Sequence, residues 1–517
     1  MRLKLLNRHL SDGSYLLRCL EGSKECAYLR PSTSSSSKSP PMLFAAGKRV
    51  VVDFSSPNIA KPFHVGHLRS TLLGRFIACF LRSAGHHVTT VNYLGDWGVQ
   101  FGILSRGFRE FGDRTKLTSS LTNKQQPLVH LMEVYVSANK RASEDPQFLA
   151  EAKETFTGME QGDAKSLAFL DLVTDVSLAE FRRFYAKLGI QFDCWHGERM
   201  YAAKARGVIE CGLKSGRVVE SDGVLGCFDD STKGGSDQPP LFAPLARSDG
   251  STLYLTRDIA AALHREEAYH PDSILYVVEK GQAHHFNLLR MALRQLGYEE
   301  LATKIRHVQF GRIIGMSTRA GDTVLVEDVL RDGTGKARQM MESDKNTRVP
   351  SQEIDATAEA LALCALTGAD LRQARQRDYR FDWAGALRLR GDTAVYLQST
   401  HAKLHTLLQA FTQYANQLDD DNYEIEETFS EPEAQTFVQA AFAMQRLVQE
   451  AYWELEPAFL LRGLYAVAHG AGSVYGQLKV RGAPPDKAMQ RLLLLAVAKK
   501  LIAFGLQMIG LRPLDKM

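Results

Sequence analysis

The segment SSPNIAKPFHVGHLRS, residues 55–70, combines side chains that bind phosphate with a glycine and the start of a helical pattern. Lys61 supplies a permanent positive charge, and His64 and His67 supply hydrogen-bond donors for the charge that develops on a reacting phosphate. Gly66 has no side chain, so a nucleotide base can approach the backbone there. Zinc would need three or four ligands, and no further Cys or His has suitable spacing. The segment therefore favours a nucleotide-binding turn.

Such a turn works best between a strand and a helix, where free backbone N–H groups and the helix dipole attract phosphate. The run KRVVVDF (48–54) is typical of a buried strand, and residues 67–85 carry apolar side chains at helical spacing up to a closing glycine. HHVTTVNYLGDWG (86–98) predicts a second strand. Strand-to-helix transitions are also predicted at 251–269 and 272–298. We therefore expect an α/β fold with a parallel sheet.

Composition divides the 517-residue chain into several parts. We expect a leader at 1–47 and a nucleotide-binding domain at 48–342, with a mostly helical insertion at about 103–250. Connecting helices are expected at 343–390 and a helical domain at 391–517. The leader starts with basic residues and continues through a Ser-rich and Pro-rich stretch, so we expect it to be disordered or to act as a mitochondrial presequence.

Composition also excludes some classes of protein. No apolar run reaches the roughly 18 residues that a membrane-spanning helix needs. Seven cysteines without a C-x-x-C pair indicate a reducing compartment, without disulfides or a zinc-finger site. The net charge of +4 is mild, but Lys and Arg outnumber Asp and Glu over 457–517. That basic segment is either a phosphate-contacting surface or a set of ordinary solvated helix faces.

Several segments together resemble one enzyme family. HVGH after SSPNIAKPF resembles the HIGH signature of class I aminoacyl-tRNA synthetases, in the form that arginyl-tRNA synthetases carry. The segments that agree further are NYLGDWGVQFG (92–102), SDGSTLYLTRDIAAAL (248–263), YVVEKGQAHHF (276–286), FGRIIGMSTRAGD (310–322), GDTAVYLQSTHAKLH (391–405) and GLRPLDKM (510–517). The resemblance implies a Rossmann-like catalytic domain with helical insertions, followed by an all-α anticodon-binding domain. It implies ATP-dependent formation of arginyl adenylate and transfer to tRNA-Arg.

The resemblance also implies an arginine pocket. Its residues are Asp53, Ser56, Pro57, Asn58, His67, Tyr254, Asp258 and Gln282. Tyr254 and Asp258 match the pair that reads the guanidinium, whose planar fork suits a carboxylate and oriented acceptors. We expect these two residues at a strand end. Asp53, taken alone, is equally well a turn residue.

The second class I motif, KMSKS, is replaced here by GMSTR (315–319), which lacks both lysines. The resemblance implies that Met316 and Ser317 contact ATP together with His64, Gly66 and His67. Arg319 and Lys61 are expected to share the phosphate charge, so the implied catalytic residues are Lys61, His64, His67 and Arg319. Mg²⁺ is expected with ATP, and no resident metal site is expected. The GMSTR form is most similar to the mitochondrial arginyl enzymes.

The expected partners are tRNA-Arg, L-arginine and ATP, with no membrane and a monomeric state. Tyr465, His469 and Tyr475 are candidate base contacts, or else core or surface residues of a helix. We expect a mitochondrial matrix location, with the cytoplasm as the alternative. Arginyl enzymes usually carry an N-terminal domain that contacts the tRNA elbow, and only 47 residues precede the first strand here. A shortened, weakly active or non-catalytic tRNA-binding relative is therefore the alternative function. A small-molecule nucleotidyltransferase would not need the arginine pocket.

Overall fold

A computed structural model describes residues 2–21, 47–118, 127–229, 241–248, 250–314, 325–344, 347–419, 425 and 427–517. The helices in chain order are α1 Arg2–Ser11, α2 Tyr15–Glu21, α3 Val65–Ser83, α4 Val99–Phe111, α5 Arg114–Thr118, α6 Pro127–Glu144, α7 Pro146–Gln161, α8 Ala164–Lys187, α9 Ala202–Lys214, α10 Tyr254–Tyr269, α11 Ala283–Gln295, α12 Glu299–Lys304, α13 Val326–Ser343, α14 Ile354–Leu371, α15 Trp383–Ala386, α16 Ala394–Ala410, α17 Thr412–Asp419, α18 Pro432–Glu454, α19 Pro457–Gln477 and α20 Pro485–Met508. The strands are β1 Arg49–Phe54, β2 His87–Leu94, β3 Cys194–Gly197, β4 Val219–Ser221, β5 Val224–Phe228, β6 Phe242–Arg247, β7 Ser273–Glu279, β8 Ile305–Phe310, β9 Ile313–Ile314 and β10 Tyr379–Arg380.

A five-stranded parallel sheet forms the centre of the catalytic part, in the order β3-β2-β1-β7-β8. β1 lies in the middle, and its valines are buried on both faces, as a parallel sheet covered by helices requires. α3 crosses from β1 to β2 and packs closely on β1, because a Cβ at Gly74 would lie 2.1 Å from Cγ of Phe54. The predicted parallel α/β sheet is confirmed.

The segment between β2 and β7 is mostly helical, as predicted, but it also holds strands that were not predicted. It contains α4 to α9, but also β3 at the edge of the main sheet and a separate antiparallel sheet in the order β4-β5-β6. β3 spans only the four residues Cys194–Gly197, too few for a period-2 pattern to be recognised. The prediction of a strand at the start of 251–269 is also wrong, since only an isolated bridge from Thr252 to Ala246 precedes α10 there.

The C-terminal part is all-α over its described residues, as predicted. α18 and α19 are joined by a short turn in which Leu455 has a left-handed φ of 51°, and the two helices pack against each other and against α20. α14 packs on α16 and α19, so the connecting helices are continuous with this domain. No helix within the described ranges is long and apolar enough to span a membrane.

The expectation of a disordered leader is wrong for residues 2–21. α1 packs on α20 and α2 packs on α18, and the side chains of Leu3 and Leu16 are buried. Glu427 caps α1, since its carboxylate accepts from the backbone N–H of Leu3 at 2.8 Å and of Lys4 at 3.0 Å. The leucines that make this segment presequence-like are thus the residues that it buries. The rest of the expected leader, 22–46, lies outside the described residues.

If α1 and α2 belong to this core, Leu16→Ala will destabilise the protein by about 2–5 kcal/mol, the usual cost of truncating a buried leucine. Chemical unfolding of the full chain, with amide exchange followed in α18 and α20, measures the effect. Leu213→Ala, at an exposed position, is the matched control. Equal behaviour of the two variants would mean that α1 and α2 do not contribute to the core.

Candidate active site at the carboxyl edge of the sheet

The turn between β1 and α3 adopts an unusual backbone conformation. Ser55, Ser56 and Ala60 have left-handed φ values of 71°, 47° and 63°. Each such residue costs of order 1–3 kcal/mol, and surrounding contacts must hold it. The hydroxyl of Ser55 is 2.6 Å from that of Tyr185 and 2.7 Å from that of Thr71, with all three groups buried. The strain is therefore stabilised by a buried network and concentrated at the predicted nucleotide turn.

Asn58 is exposed on this turn and is fixed by the turn that follows β2. Asn58 forms a parallel bridge with Gly95, and the backbone N–H of Ile59 donates to the Gly95 carbonyl at 3.1 Å. A Cβ at Gly95 would lie 2.0 Å from Oδ1 of Asn58, so a larger residue there would displace the Asn58 amide. The N–H of Gly95 in turn donates to Pro57 at 3.2 Å. The two predicted pocket residues Pro57 and Asn58 thus lie where the β1 and β2 turns meet.

The two histidines of the turn stack at the start of α3. His64 is the N-cap, and its Nδ1 accepts from the N–H of Gly66 at 3.1 Å. Its ring centroid lies 3.9 Å from that of His67, and a Cβ at Gly66 would lie 2.8 Å from Cε1 of His64. Nδ1 of His67 is buried without a hydrogen-bond partner in the structure. That atom faces no protein group that satisfies it, as expected of a group that meets a ligand.

Both histidines are neutral near pH 7. Burial, with smaller contributions from His64 and Lys61, lowers the pKa of His67 to about 3. Burial and Lys61 also lower the pKa of His64. The Nζ of Lys61 lies 4.9 Å from the centroid of the Tyr135 ring, beside a cavity of about 150 Å³ that Asn58 also lines. Lys61 therefore supplies the positive charge beside the turn.

Tyr254 and Asp258 lie on the first turns of α10, one above the other, and not at a strand end as predicted. Oδ2 of Asp258 is 2.7 Å from Nε2 of His285, and the Tyr254 ring centroid is 5.1 Å from that of His285. Tyr254 is 60% exposed, so its ring is open to a ligand. Gln282 is exposed at the start of α11, one turn before His285. The structure thus brings Tyr254, Asp258 and Gln282 to one rim.

Sequence reasoning missed three residues of this rim. His285 lies in the segment YVVEKGQAHHF, for which the resemblance implied a role only at Gln282. Glu198 lies in the insertion, and its pKa is raised to about 7 by burial and by Asp258 and Asp96, although Arg257 donates to it at 2.8 Å. Burial raises the pKa of Asp96 to about 6. The raised pKa values show that the charged forms of these carboxyl groups are destabilised, and a cationic ligand bound beside them would stabilise those forms.

Asp53 has protein partners on both oxygens. Oδ2 lies 2.7 Å from Nη2 of Arg265, and Oδ1 accepts from the hydroxyl of Ser56 at 2.8 Å. Burial raises the pKa of Asp53, and Arg265 opposes that shift. The Ser56 hydroxyl also accepts from the N–H of Tyr93 at 3.1 Å. Asp53 and Ser56 thus stabilise the turn through contacts with Arg265 and Tyr93. Their contact with a substrate stays a prediction.

The second motif lies outside the described residues, and so do Met316, Ser317 and Arg319. The residues that flank it are described. Ile313 and Ile314 pair with β10, and Leu325 forms an antiparallel bridge with His64. The N–H of Val326 donates to the Phe63 carbonyl at 3.2 Å. The described chain therefore resumes at Leu325 directly beside the histidine turn.

The candidate base contacts of the helical domain differ in exposure. Tyr465 is buried, so the alternative of a core residue holds for it. Nε2 of His469 is 2.9 Å from Oδ1 of Asp392, and its ring stacks on Tyr396 at 5.1 Å. Tyr475 is exposed. His469 and Tyr475 remain available for contact with a partner.

Known proteins similar to this chain agree with both parts of the fold. Residues 37–383 match the family described as tRNA synthetases class I (R), catalytic domain, and residues 397–517 match the DALR anticodon binding domain. A Bos taurus protein named probable arginine–tRNA ligase, mitochondrial, is 39% identical over 477 residues, which are 91% of this chain and 78% of the bovine protein. The cytoplasmic arginine–tRNA ligase of Saccharomyces cerevisiae is 32% identical over 91% of this chain and 77% of its own length.

A solved structure supports the fold. The arginyl-tRNA synthetase from Plasmodium falciparum matches 91% of this chain and 77% of its own chain with a TM-score of 0.76, at 23% sequence identity. At this identity the match shows the shared architecture, not the chemistry of the site.

The depressed pKa of His67 generates a prediction. The ring will stay neutral from pH 5 to pH 8, because its pKa of about 3 lies below that range. NMR of ¹³C-labelled histidine, with His67 assigned through a His67→Gln sample, will show no titration of this ring over the range. A midpoint near the ordinary histidine value of about 6.5 would contradict the buried environment.

Proposed function

This chain belongs to the class I arginyl-tRNA synthetase family, and on that premise we propose how its site activates arginine and transfers it to tRNA. The activity is that of an arginine–tRNA ligase. The arginine carboxylate displaces pyrophosphate from ATP to form arginyl adenylate, and the terminal ribose of tRNA-Arg then takes the arginyl group with release of AMP. One observation carries the assignment of the pocket: Asp258 lies beside Tyr254 at the same carboxyl edge as the His64–His67 turn.

Asp258 binds the guanidinium of the substrate. A carboxylate can accept two parallel N–H groups from this planar fork, and His285 at 2.7 Å holds the carboxylate in orientation. The exposed Tyr254 ring covers the cation, and Gln282 and Asn58 supply neutral polar contacts from the two neighbouring turns. Asp96 and Glu198 add negative potential, so arginine is preferred to a neutral amino acid of similar length. Ser56 and Pro57 shape the wall near Asn58.

The phosphate groups of ATP bind on the opposite side of Asn58. The N-terminus of α3 and the neutral rings of His64 and His67 donate hydrogen bonds to the reacting phosphate, and Lys61 supplies the positive charge. Gly66 leaves room for the base. Mg²⁺ arrives with the ATP phosphates, whose developing charge it offsets. Met316, Ser317 and Arg319 act on the same phosphates by their sequence match.

The helical domain binds the anticodon arm of tRNA-Arg, for which its family match and its basic C-terminal segment are the support. We propose a mitochondrial matrix location from the printed name of the bovine relative, with the cytoplasm as the alternative because the yeast relative is cytoplasmic. A monomer remains the expected state. The comparisons do not favour the alternative of a non-catalytic tRNA-binding relative.

The activity is tested by ATP–pyrophosphate exchange with each amino acid, with and without tRNA-Arg. We expect exchange that depends on arginine and occurs only when tRNA-Arg is present. A folded sample without exchange for any amino acid would refute the enzyme assignment.

Asp258→Ala is expected to raise the KM for arginine by roughly 10- to 100-fold, the usual effect of losing a charged contact, while the KM for ATP changes little. Exchange kinetics at varied arginine and ATP concentrations measure both constants. Glu267→Ala is the matched control, because Glu267 lies on the same helix and pairs with Lys204 on the exposed surface. Equal losses for both substrates in the Asp258 variant would remove Asp258 from the pocket.

A further inference from the structure

Arg69 lies on α3 two residues after His67, and its cationic side chain is buried. Its Nε is 3.2 Å from Oδ1 of Asp370, and the two side chains are 2% and 0% exposed. Nη1 donates to the Arg377 carbonyl at 2.6 Å and Nη2 to the Ala374 carbonyl at 3.2 Å. The guanidinium also lies 5.1 Å from the Tyr379 ring centroid. A buried arginine with this many directed contacts fixes the geometry of the groups it joins.

Apart from Asp370, the residues that Arg69 contacts lie in a strip, 374–380, which is also bonded to the end of β8. The N–H of Gly311 donates to the Arg375 carbonyl at 2.9 Å, and the N–H of Arg312 donates to Oδ1 of Asp378 at 2.7 Å. A Cβ at Gly311 would lie 2.6 Å from the Arg377 carbonyl carbon, so the two segments are in direct contact. The strip then pairs with Ile313 and Ile314 as β10.

The same strip is bonded to the helical domain. The N–H of Arg375 donates to Oε2 of Glu456 at 2.8 Å, and Glu456 is the N-cap of α19. The guanidinium of Arg375 donates to the Gln309 carbonyl at the end of β8. One short segment therefore contacts the histidine helix, the residues that lead into 315–324, and a helix of the anticodon-binding domain.

We propose that Arg69 is a positioning residue for the activation reaction, which locks the His64–His67 turn and the residues that flank 315–324 onto the strip 374–380. The proposal rests on the proposed function of these two motifs. The residues proposed to bind the guanidinium, Tyr254, Asp258 and Gln282, lie on or just before α10 and α11, whereas the groups bonded to Arg69 lie at 370–379. Loss of the contacts of Arg69 will therefore misplace the phosphate-binding groups and leave arginine binding intact.

Arg69→Lys tests this, because lysine keeps the charge and loses the planar fork that reaches three acceptors. We expect kcat for arginine-dependent exchange, per active site titrated, to fall by roughly tenfold or more, since small misplacements of reacting groups have such effects. The KM for arginine should stay within about twofold of the wild-type value. Arg82→Lys, on the same helix in an exposed pair with Asp193, should behave as wild type.

Amide hydrogen exchange measured on the same proteins tests the role of Arg69 in positioning these segments, independently of enzymatic activity. In Arg69→Lys, peptides over 60–72 and 305–314 should exchange faster, while those over 254–290 should not change. Three results would overturn the proposal. They are an unchanged kcat, a parallel change in kcat and in the KM for arginine, and unchanged amide hydrogen exchange in 60–72 and 305–314. A wild-type protein without ATP–pyrophosphate exchange activity would instead count against the proposed function. The hydrogen-exchange result would still decide whether Arg69 holds these segments in place.

Discussion

Arg265 and Asp53 form an ion pair inside the molecule, with 2.7 Å between Nη2 and Oδ2 and side chains that are 0% and 4% exposed. The guanidinium also lies 5.3 Å from the Tyr93 ring centroid and 5.1 Å from that of Tyr276. Desolvation of the two charges costs several kcal/mol per ion. Removal of one partner would leave an uncompensated buried charge, which costs about 3–5 kcal/mol. The pair joins the ends of β1 and α10 and faces β2 and β7. The proposed pocket is built on β1, β2, β7 and α10, so the geometry of the pocket depends on the Arg265–Asp53 pair.

Charge is divided between the two halves of the site. Carboxylates surround the proposed arginine side, and burial raises the pKa of Glu198 to about 7 and of Asp96 to about 6. On the phosphate side Lys61 is the cation, because burial keeps His67 neutral with a pKa of about 3. In the proposed site, a cationic amino acid and an anionic nucleotide would thus be directed to opposite sides of Asn58. The sharp turn around Ser55 and Ser56 makes this possible, since it brings both sides within a few residues of β1.

Local signals allowed much of the fold to be predicted. β1, α3 and β2 follow from a β-branched run, helical spacing and a glycine that closes the helix. Features that depend on distant partners were missed: α1 is capped by Glu427, 424 residues away from Leu3 in sequence. β3 is too short to show a pattern, and Tyr254 with Asp258 was expected at a strand end.

The same holds for the site. The histidine turn is contiguous in sequence, so its members could be predicted together. Arg265 was predicted to be in a helix, but its burial depends on Asp53, which a one-dimensional pattern does not reveal. His285 and Glu198 became visible only when α10, α11 and the insertion were placed around one rim.

The assignment of the two halves of the site can be tested with a structure of this protein bound to L-arginine and a non-hydrolysable ATP analogue. We expect the substrate guanidinium within hydrogen-bond distance of the Asp258 carboxylate. We also expect the α-phosphate to lie against His64 and His67, with the Asp53–Arg265 pair unchanged beneath. A guanidinium bound away from Asp258, or one that displaces Arg265 from Asp53, would contradict this assignment.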